Sequence, residues 1–391
     1  MTDGNAQEAL EWCEAAGEGM LRAVGPAVMQ RCLCQVPLRV LAGRPRALLL
    51  NAAILRQLER TDEALRSAVA AQALASHAGD RATAAAASLL TARLTIDAGE
   101  LARARDILHH LDSGALGALA PSQESLVQAY LAVADAVKGD IEIARVRTAR
   151  VRTLLHCLDV GSDEAVNAAN SVGCIDGLCC GDWEAAARAI GAVAARGDLS
   201  PVQRLLVRAN HAAAILEKGS MEDAWALASD VEREAERAGL RQLQAYALST
   251  QFGVEYARDS AEAGAALFGR AAEVLANFAD TMGLSLVCAH AAAGERAAGR
   301  TSRSLALGER SLSALGSRGD AVSLLAASAR IEIAASLLAL GDVRGSSALI
   351  EDVLGEGLSA HALAHHLRID LLRAEIDLRN ERHAQAIERL A

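Results

Sequence analysis

The sequence has few aromatic residues, few prolines and almost no lysines. These scarcities limit, in turn, the composition of the core, the interruption of helices and the kinds of phosphate site. Aromatics make up 2% of the 391 residues, so the core must be built from Ala, Leu, Val and Ile. Alanine is the best intrinsic helix former, and small faces let helices approach closely. Five prolines leave long runs free for helix. Lys138 and Lys218 are the only lysines, and neither lies in a Gly-rich GK[ST] loop, which excludes a Walker A phosphate site.

Acidic residues outnumber basic ones, and no long apolar run occurs. The net charge is −10, the pI is about 5.5, and the arginines are interspersed with Asp and Glu. A concentrated basic face is therefore absent from the pattern, and we expect no direct nucleic-acid binding by this chain. The start MTDGNAQEALEW has neither the basic nor the apolar region of a signal peptide. We expect a cytoplasmic protein without a membrane contact.

A short turn motif, which we call the turn phrase, recurs along the chain about every 40 residues. Clear copies begin at Glu59, Gly99, Gly139, Gly181 and Gly219, and later copies begin near Ser260, Gly299, Gly341 and Glu381. Gly permits the left-handed residue that ends a helix, and a following Asp or Ser can cap the next one. Ser220 to Asp223 resembles a capping box of this kind. The return loops, half a period away, begin helices at Pro121 and at Ser200-Pro201.

Two columns of small residues keep the same period as the turns. One column lies seven residues before each turn: Ala52, Ala92, Ala132, Cys174, Ala212, Gly253, Ala292, Ala334 and Ala374. The other lies five residues after it: Ala64, Ala104, Ala144, Ala186, Ala224, Ala265, Ser304, Ser346 and Ala386. Two antiparallel helices joined by a tight turn must touch near that turn, and small residues allow the contact. Strict apolar alternation typical of strands is absent.

This pattern predicts an all-α, right-handed superhelical solenoid of about nine to ten antiparallel helix pairs. We predict a single domain over residues 1–391, with an atypical first unit at 1–45 and regular repeats at 46–391. In the first unit, Gly25 is the predicted turn and the residues after it the second helix. Terminal units of solenoids are often atypical. The last repeat looks truncated, and its uncovered apolar face could form a homo-oligomer.

The cysteines and histidines suggest metal or thiol chemistry only weakly. Cys174, Cys179 and Cys180 precede one turn, but Cys174 occupies a small-residue column and no Cys-x-x-Cys spacing occurs. Cys32 and Cys34 are two apart on a predicted helix and face different directions. We interpret the thiols as reduced, small hydrophobic residues. His361 and His365 share a helical face, but a third ligand is not evident. We therefore expect neither an enzyme nor a cofactor.

The turn phrase and the paired small residues resemble tetratricopeptide repeats with lengthened helices. Repeats of this length resemble the sensor region of the large bacterial MalT-like regulators, which are LuxR-type and ATP-dependent. The stretch 31–50, with its Val-Pro helix end and its Arg44-Pro45 helix start, is similar to the beginning of that region. The stretch 382–390 is similar to its final repeat. The ATPase and helix-turn-helix of those regulators are missing, so the resemblance implies an isolated sensor region.

The repeat period places a mixed set of side chains on the concave wall formed by the first helix of each pair. The charged residues predicted there are Arg46, Arg56, Arg93, Asp97, Glu217, Arg258, Arg296, Arg368 and Glu375, with Ser171 beside them. The apolar ones are Leu49, Leu89, Val133, Ile175, Leu178, Leu206, Leu286, Ile331 and Leu371. Arginines among apolar residues suit a peptide, a partner helix or a small ligand carrying an acid or phosphate.

The sequence is consistent with two functions, and it supports a third less well. The first is the ligand- or partner-sensing module of a transcription regulator, in which binding inside the superhelix shifts its curvature. The second is a free-standing adaptor that holds a peptide or partner helix in the groove. The third, a metal or thiol enzyme, lacks a catalytic motif in the sequence.

Overall fold

The computed structural model describes residues 3–115, 117, 119–156, 163–277, 280–316, 324–355, 358 and 363–390. Within these ranges the chain forms 21 α-helices and no strand, which confirms the all-α solenoid. Three helices come first: α1 (Asp3–Val24), α2 (Pro26–Leu33) and α3 (Leu38–Leu41). Gly25 has φ of 80° and forms the predicted turn between α1 and α2.

Nine antiparallel helix pairs follow within the described ranges, each made of an A helix and a B helix. The A helices are α4 (Pro45–Gln57), α6 (Arg81–Asp97), α8 (Pro121–Lys138), α10 (Asp163–Cys180), α12 (Pro201–Glu217), α14 (Arg241–Ala257), α16 (Thr281–Ala297), α18 (Leu324–Ala339) and α20 (Leu363–Arg379). The B helices are α5 (Thr61–Ala78), α7 (Leu101–Asp112), α9 (Ile141–His156), α11 (Trp183–Ala194), α13 (Met221–Ala238), α15 (Ala261–Asn277), α17 (Thr301–Leu315), α19 (Val343–Gly355) and α21 (His383–Leu390).

Every A helix is followed, within two residues, by a residue in the left-handed conformation, at the period that the turn phrase predicts. These residues are Glu59, Gly99, Gly139, Gly181, Gly219, Asp259, Gly299, Gly341 and Glu381. The backbone closes each turn as a helix C-cap; for example, Arg60 N–H donates to Leu55 O at 2.9 Å. The sixth turn lies at Asp259, because Ser260 N–H donates to Glu255 O at 2.9 Å. Our placement of that turn at Ser260 was therefore late by one residue.

The small-residue columns are buried where A and B helices cross. Ala52, Ala92 and Ala132 have no exposed surface, and neither have Ala64, Ala104 and Ser304 of the second column. The sixth pair departs from the prediction, because the corrected turn puts Phe252 and Gly264 at the crossing in place of Gly253 and Ala265. Phe252 is fully buried, and Gly264 leaves room for the Tyr256 ring, whose nearest atoms are 3.2 Å from an added Cβ.

Several helix starts follow the predicted chemistry and one does not. Ser200 Oγ accepts from Gln203 N–H at 3.2 Å, and Gln203 Oε1 accepts from Ser200 N–H at 3.0 Å, which completes a capping box. Proline stands at the first position of α4, α8 and α12. The predicted capping box at Ser220 was wrong, because this side chain makes no capping hydrogen bond to α13.

The first four A helices, or the turns that follow them, contact the A helices five pairs later in the chain, which lie one superhelical turn away. Glu59, after α4, accepts a hydrogen bond from Gln242 N–H in α14. Thr281 Oγ1, at the start of α16, donates to Ala98 O after α6 at 3.4 Å. The helices α8 and α18 are in contact, and so are α10 and α20. The first turn of the superhelix is therefore closed against the second, and the A helices enclose a narrow interior, which we name the lumen.

Candidate functional site

A cavity of about 130 Å³ lies in the lumen between the two turns, and we name it the lumen cavity. Its charged and polar walls come from α4, α6 and α14, and its apolar wall from α12 and the start of α14. The residues that line it are Arg56, Gln57, Glu59, Thr61, Arg93, Asp97, Asn167, Val202, Gln203, Leu206, Leu240, Gln242, Leu243 and Tyr246. The predicted residues Arg56, Arg93, Asp97 and Leu206 are thus brought together.

Two arginines share one carboxylate at this cavity. Arg93 Nε lies 2.9 Å from Asp97 Oδ1, and its guanidinium covers the Tyr130 ring at 5.3 Å. Burial acts to lower the pKa of Arg93, but the charge of Asp97, the neighbouring Tyr130 and Tyr246 and the hydrogen bond to Asp97 together outweigh it, and the pKa is raised. Arg56 Nε is 3.8 Å from Asp97 Oδ2, beyond hydrogen-bond distance, and has no hydrogen-bond partner among the described residues. Two guanidinium groups and the Asp97 carboxylate thus meet at this end of the cavity, which the buried carboxyl of Glu59 also lines.

The opposite wall is a hydrogen-bonded cluster from the second superhelical turn. Tyr246 Oη donates to Asp280 Oδ2 at 2.5 Å, and Gln242 Nε2 donates to the same oxygen at 2.8 Å. Asp280 also caps α16, since its Oδ1 accepts from Gly283 N–H at 2.8 Å. Burial raises the pKa of Asp280, although these hydrogen bonds act to lower it. Burial likewise raises the pKa of Tyr246, which remains a donor.

A second charged cluster lies on α16, α18 and α20. Glu332 is almost fully buried and forms ion pairs with Arg296, at 3.3 Å, and with Arg368. Burial and the charge of Arg296 lower the pKa of Arg368 to about 10. Burial lowers the pKa of His290, while Glu217 acts to raise it and Arg368 to lower it. The side chain of His290 is exposed.

Other predicted charged residues lie apart from the lumen cavity. Arg46 is largely exposed at the start of α4 and pairs with Asp80 at 3.4 Å. Arg258 follows α14, pairs with Glu222 at 2.6 Å and covers the Trp225 ring. Glu375 pairs with Arg379 along α20 at 2.6 Å, so its charge is already balanced. The structure does not bring these three predicted residues to the cavity.

The predicted apolar residues fill the interior more than they line an open groove. Val133, Ile175 and Ile331 belong to one cluster that joins the third and fourth pairs to the eighth and ninth. Leu371 is exposed, and the side chain of Leu178 lies outside the described residues. The remaining predicted residues Leu49, Leu89, Leu286 and Ser171 are buried or half-buried. Apolar contact between successive superhelical turns explains why the groove is narrow.

The thiol and histidine residues show mainly packing roles where they are described. Burial raises the pKa of Cys174 and of Cys288 to about 11, so both remain thiols. Cys32 and Cys34 are exposed, which departs from our interpretation of the thiols as small hydrophobic residues. His365 Nε2 is 2.7 Å from Ser328 Oγ. His361 and Cys157 lie outside the described residues, as do the side chains of Cys179 and Cys180.

Within the described residues, neither a metal-binding cluster nor a membrane-spanning helix is present. No group of three or more His, Cys, Asp or Glu side chains in the described ranges is placed to hold a metal ion. Each helix that the structure describes is too short or too polar to cross a bilayer.

The residues that join the two superhelical turns were not predicted from the sequence. Glu59 was predicted only as a turn residue, and Tyr246, Gln242 and Asp280 were not among the predicted site residues. Asp280 stands in a return loop at an N-cap, which the sequence could have revealed as a capping residue. Its contact with Tyr246 depends on the pitch of the superhelix, which the repeat period alone does not specify.

Comparisons with known proteins establish the fold and leave the family open. No family model and no curated protein matches the chain. A Rap protein complexed with Competence and Sporulation Factor is similar, with a TM-score of 0.63 and 13% identity, over 88% of this chain and 95% of that one. The human IFIT1 dimer with m7Gppp-AAAA has a TM-score of 0.49 and 11% identity, over 89% and 75% of the two chains.

A signal transduction ATPase with a tetratricopeptide repeat sensor from Pyrococcus horikoshii has a TM-score of 0.44 and 14% identity, over 80% of this chain and 49% of that one. At such identities a likeness concerns the fold, and the Rap protein is the one of these three whose similarity supports it. The chain is an all-α helical-repeat solenoid.

Proposed function

We propose that this chain is a binding and sensing module, not an enzyme, and that it holds a short acid-bearing peptide in the lumen. One observation carries the proposal: Arg56 and Arg93 share the carboxylate of Asp97 at the wall of the lumen cavity. Guanidinium groups match carboxylates geometrically, so an acidic ligand group would supply the acceptor that Arg56 Nε lacks. The complex of the Rap protein with Competence and Sporulation Factor supports a partner-binding use of this fold.

The size and the walls of the lumen suit a peptide that enters with one side chain or terminus. A cavity of about 130 Å³ is close to the about 150 Å³ that accepts a benzene ring. Val202, Leu206 and Leu243 provide an apolar wall opposite the arginines. Further along the lumen, Arg296 and Arg368 share Glu332 in the same way and offer a second anchor. Arg56, Arg93, Arg296 and Arg368 are therefore the proposed ligand-binding residues.

The test compares peptides with free and amidated C-termini in calorimetry with the purified chain. We expect binding of free-acid peptides to weaken by about ten- to a hundredfold in Arg56→Ala, which corresponds to a charged hydrogen bond of about 1.5–3 kcal/mol. Arg46→Ala is the matched control, because Arg46 lies on the same helix outside the cavity. Equal binding by both variants, or by free and amidated peptides, would contradict an arginine-bound acid.

We further propose that the module belongs to a LuxR-type regulator of the MalT-like kind. The resemblance of residues 31–50 supports this, since α4 begins at Pro45 after an Arg44 N-cap. A free-standing cytoplasmic adaptor is the alternative. A sensor must change shape when its ligand binds, whereas an adaptor need not. Small-angle scattering with and without a bound peptide separates them: an unchanged radius of gyration favours the adaptor.

Self-association through the end of the solenoid stays a prediction. The large apolar side chains exposed on α20 and α21 are Leu367, Leu371, Leu378, Ile387 and Leu390. Apolar patches of this kind mark interaction surfaces. Analytical ultracentrifugation of the wild type and of Ile387→Glu tests it, and a monomer at all concentrations for the wild type would refute it.

A further inference from the structure

Glu59 is an unusual residue for its place in the fold. It stands in a left-handed conformation, with φ of 61°, at a turn where six of the nine pairs have glycine. An L-residue there is strained by about 1–2 kcal/mol relative to glycine. Glu59 is also buried, with 8% of its surface exposed, although a turn residue would ordinarily face water. Its side chain must therefore contribute something that glycine could not.

The helix opposite Glu59 lacks an N-cap side chain of its own. The first amides of a helix have no partner within the helix. Asp80, Ser200 and Asp280 supply side-chain caps to α6, α12 and α16, but Leu240 stands at the N-cap of α14 and has no side-chain acceptor.

The carboxyl of Glu59 supplies the missing cap from another part of the chain. It accepts from Gln242 N–H, 183 residues away, and the amides of Arg241 and Leu243 are also directed at it. All three amides belong to the first turn of α14. A carboxyl oxygen accepts hydrogen bonds of this kind in both protonation states.

We infer that Glu59 is a latch: it caps α14 from a distant part of the same chain and thereby holds the two superhelical turns together. Near it, the joint between the turns is made of few, polar contacts: Gln242 N–H to Glu59, and Thr281 Oγ1 to Ala98 O at 3.4 Å. The adjacent pairs within one turn, in contrast, share buried apolar clusters. Further along the chain, α8 and α10 meet α18 and α20 through a buried apolar cluster. The latch therefore controls the spacing of the two turns where α4 and α6 meet α14 and α16.

The latch also forms a wall of the lumen cavity. Glu59, Leu240, Gln242 and Leu243 line it, so opening the joint opens the cavity. This coupling rests on the proposed function: a ligand that touches Arg56 on one turn and Leu243 on the other favours the closed superhelix. The latch itself depends only on contacts within the ligand-free chain.

The experiment measures hydrogen exchange and small-angle scattering of the ligand-free chain. We compare the wild type with Glu59→Gly, Glu59→Gln and Glu381→Gly. Glycine is the usual residue at these turns, so both glycine variants should fold. In Glu59→Gly, we expect the first-turn amides of α14 to exchange about tenfold faster and the radius of gyration to increase. Glu59→Gln keeps an acceptor oxygen and should retain protection.

Glu381→Gly is the matched control, because Glu381 has φ of 60° at the last turn and is exposed. It should relieve the same backbone strain and leave α14 unchanged. Equal protection of α14 in Glu59→Gly and Glu381→Gly would overturn the latch. The proposed ligand site is tested separately by peptide binding to the wild type and to Arg56→Ala. The outcome of that comparison does not depend on the exchange of α14.

Discussion

Gly99 and Gly299 have the same role in their own turns but different surroundings. Their φ angles are 76° and 74°. An added Cβ at Gly99 would lie 2.5 Å from Thr281 Oγ1, on the neighbouring superhelical turn. At Gly299, an added Cβ meets none of the described atoms within 4 Å. Substitution by alanine therefore separates backbone strain from the contact between turns.

We expect Gly299→Ala to cost about 1–2 kcal/mol, the strain of an L-residue in the left-handed region. Gly99→Ala should cost the same strain and about 1–3 kcal/mol more, because a Cβ at 2.5 Å is an overpacked contact. The chain can avoid the second cost by opening the joint, which would remove the hydrogen bond from Thr281 to Ala98 O.

Urea denaturation and hydrogen exchange measure both terms. Gly99→Ala should be the less stable variant, or should show faster exchange at the start of α16 with a larger radius of gyration. Thr281→Ser in the Gly99→Ala background is not expected to restore the wild type, because the hydroxyl remains. Thr281→Gly in that background should remove the clash. Identical stability and exchange in Gly99→Ala and Gly299→Ala would refute the closed superhelix.

Two further results are expected. Asp135 has no exposed surface and pairs with Arg105 at 3.1 Å and Arg147 at 2.8 Å, so Asp135→Ala should lower the free energy of unfolding by about 3–5 kcal/mol. Urea denaturation checks this, and a loss below about 1 kcal/mol, typical of an exposed pair, would contradict it. Burial raises the pKa of Glu59 to about 7, against amide hydrogen bonds that act to lower it. The folded chain then binds this proton more tightly than the unfolded chain, so the latch should weaken as pH rises from about 4.5 to about 7. The charged groups near Glu59 are Arg56, Arg60, Asp62, Glu63, Asp97, Arg241 and Asp280. Exchange at α14 against pH checks the prediction, and Glu59→Gln should lose this dependence.

The local sequence was sufficient for the helix pairs and most of their turns. Glycine or a substitute every 40 residues or so gave the left-handed caps, and small residues such as Ala52 and Ala64 gave the helix crossings. These features depend on neighbours close in the chain, so a repeating pattern expresses them. The sixth pair was placed one residue late, because Asp259 is not glycine and the aromatic Phe252 breaks the small column.

The closed lumen and the partners of its charged residues were decided by tertiary structure. The small rotation between neighbouring pairs accumulates until pair one meets pair six, and a slight change in that rotation would separate Glu59 from Gln242. Sequence periodicity identified Arg56, Arg93 and Asp97 as concave residues, since the A-helix face follows from the repeat. It could not show that Tyr246, Gln242 and Leu243 close the cavity, because contacts between residues so far apart in the chain depend on the pitch of the whole superhelix.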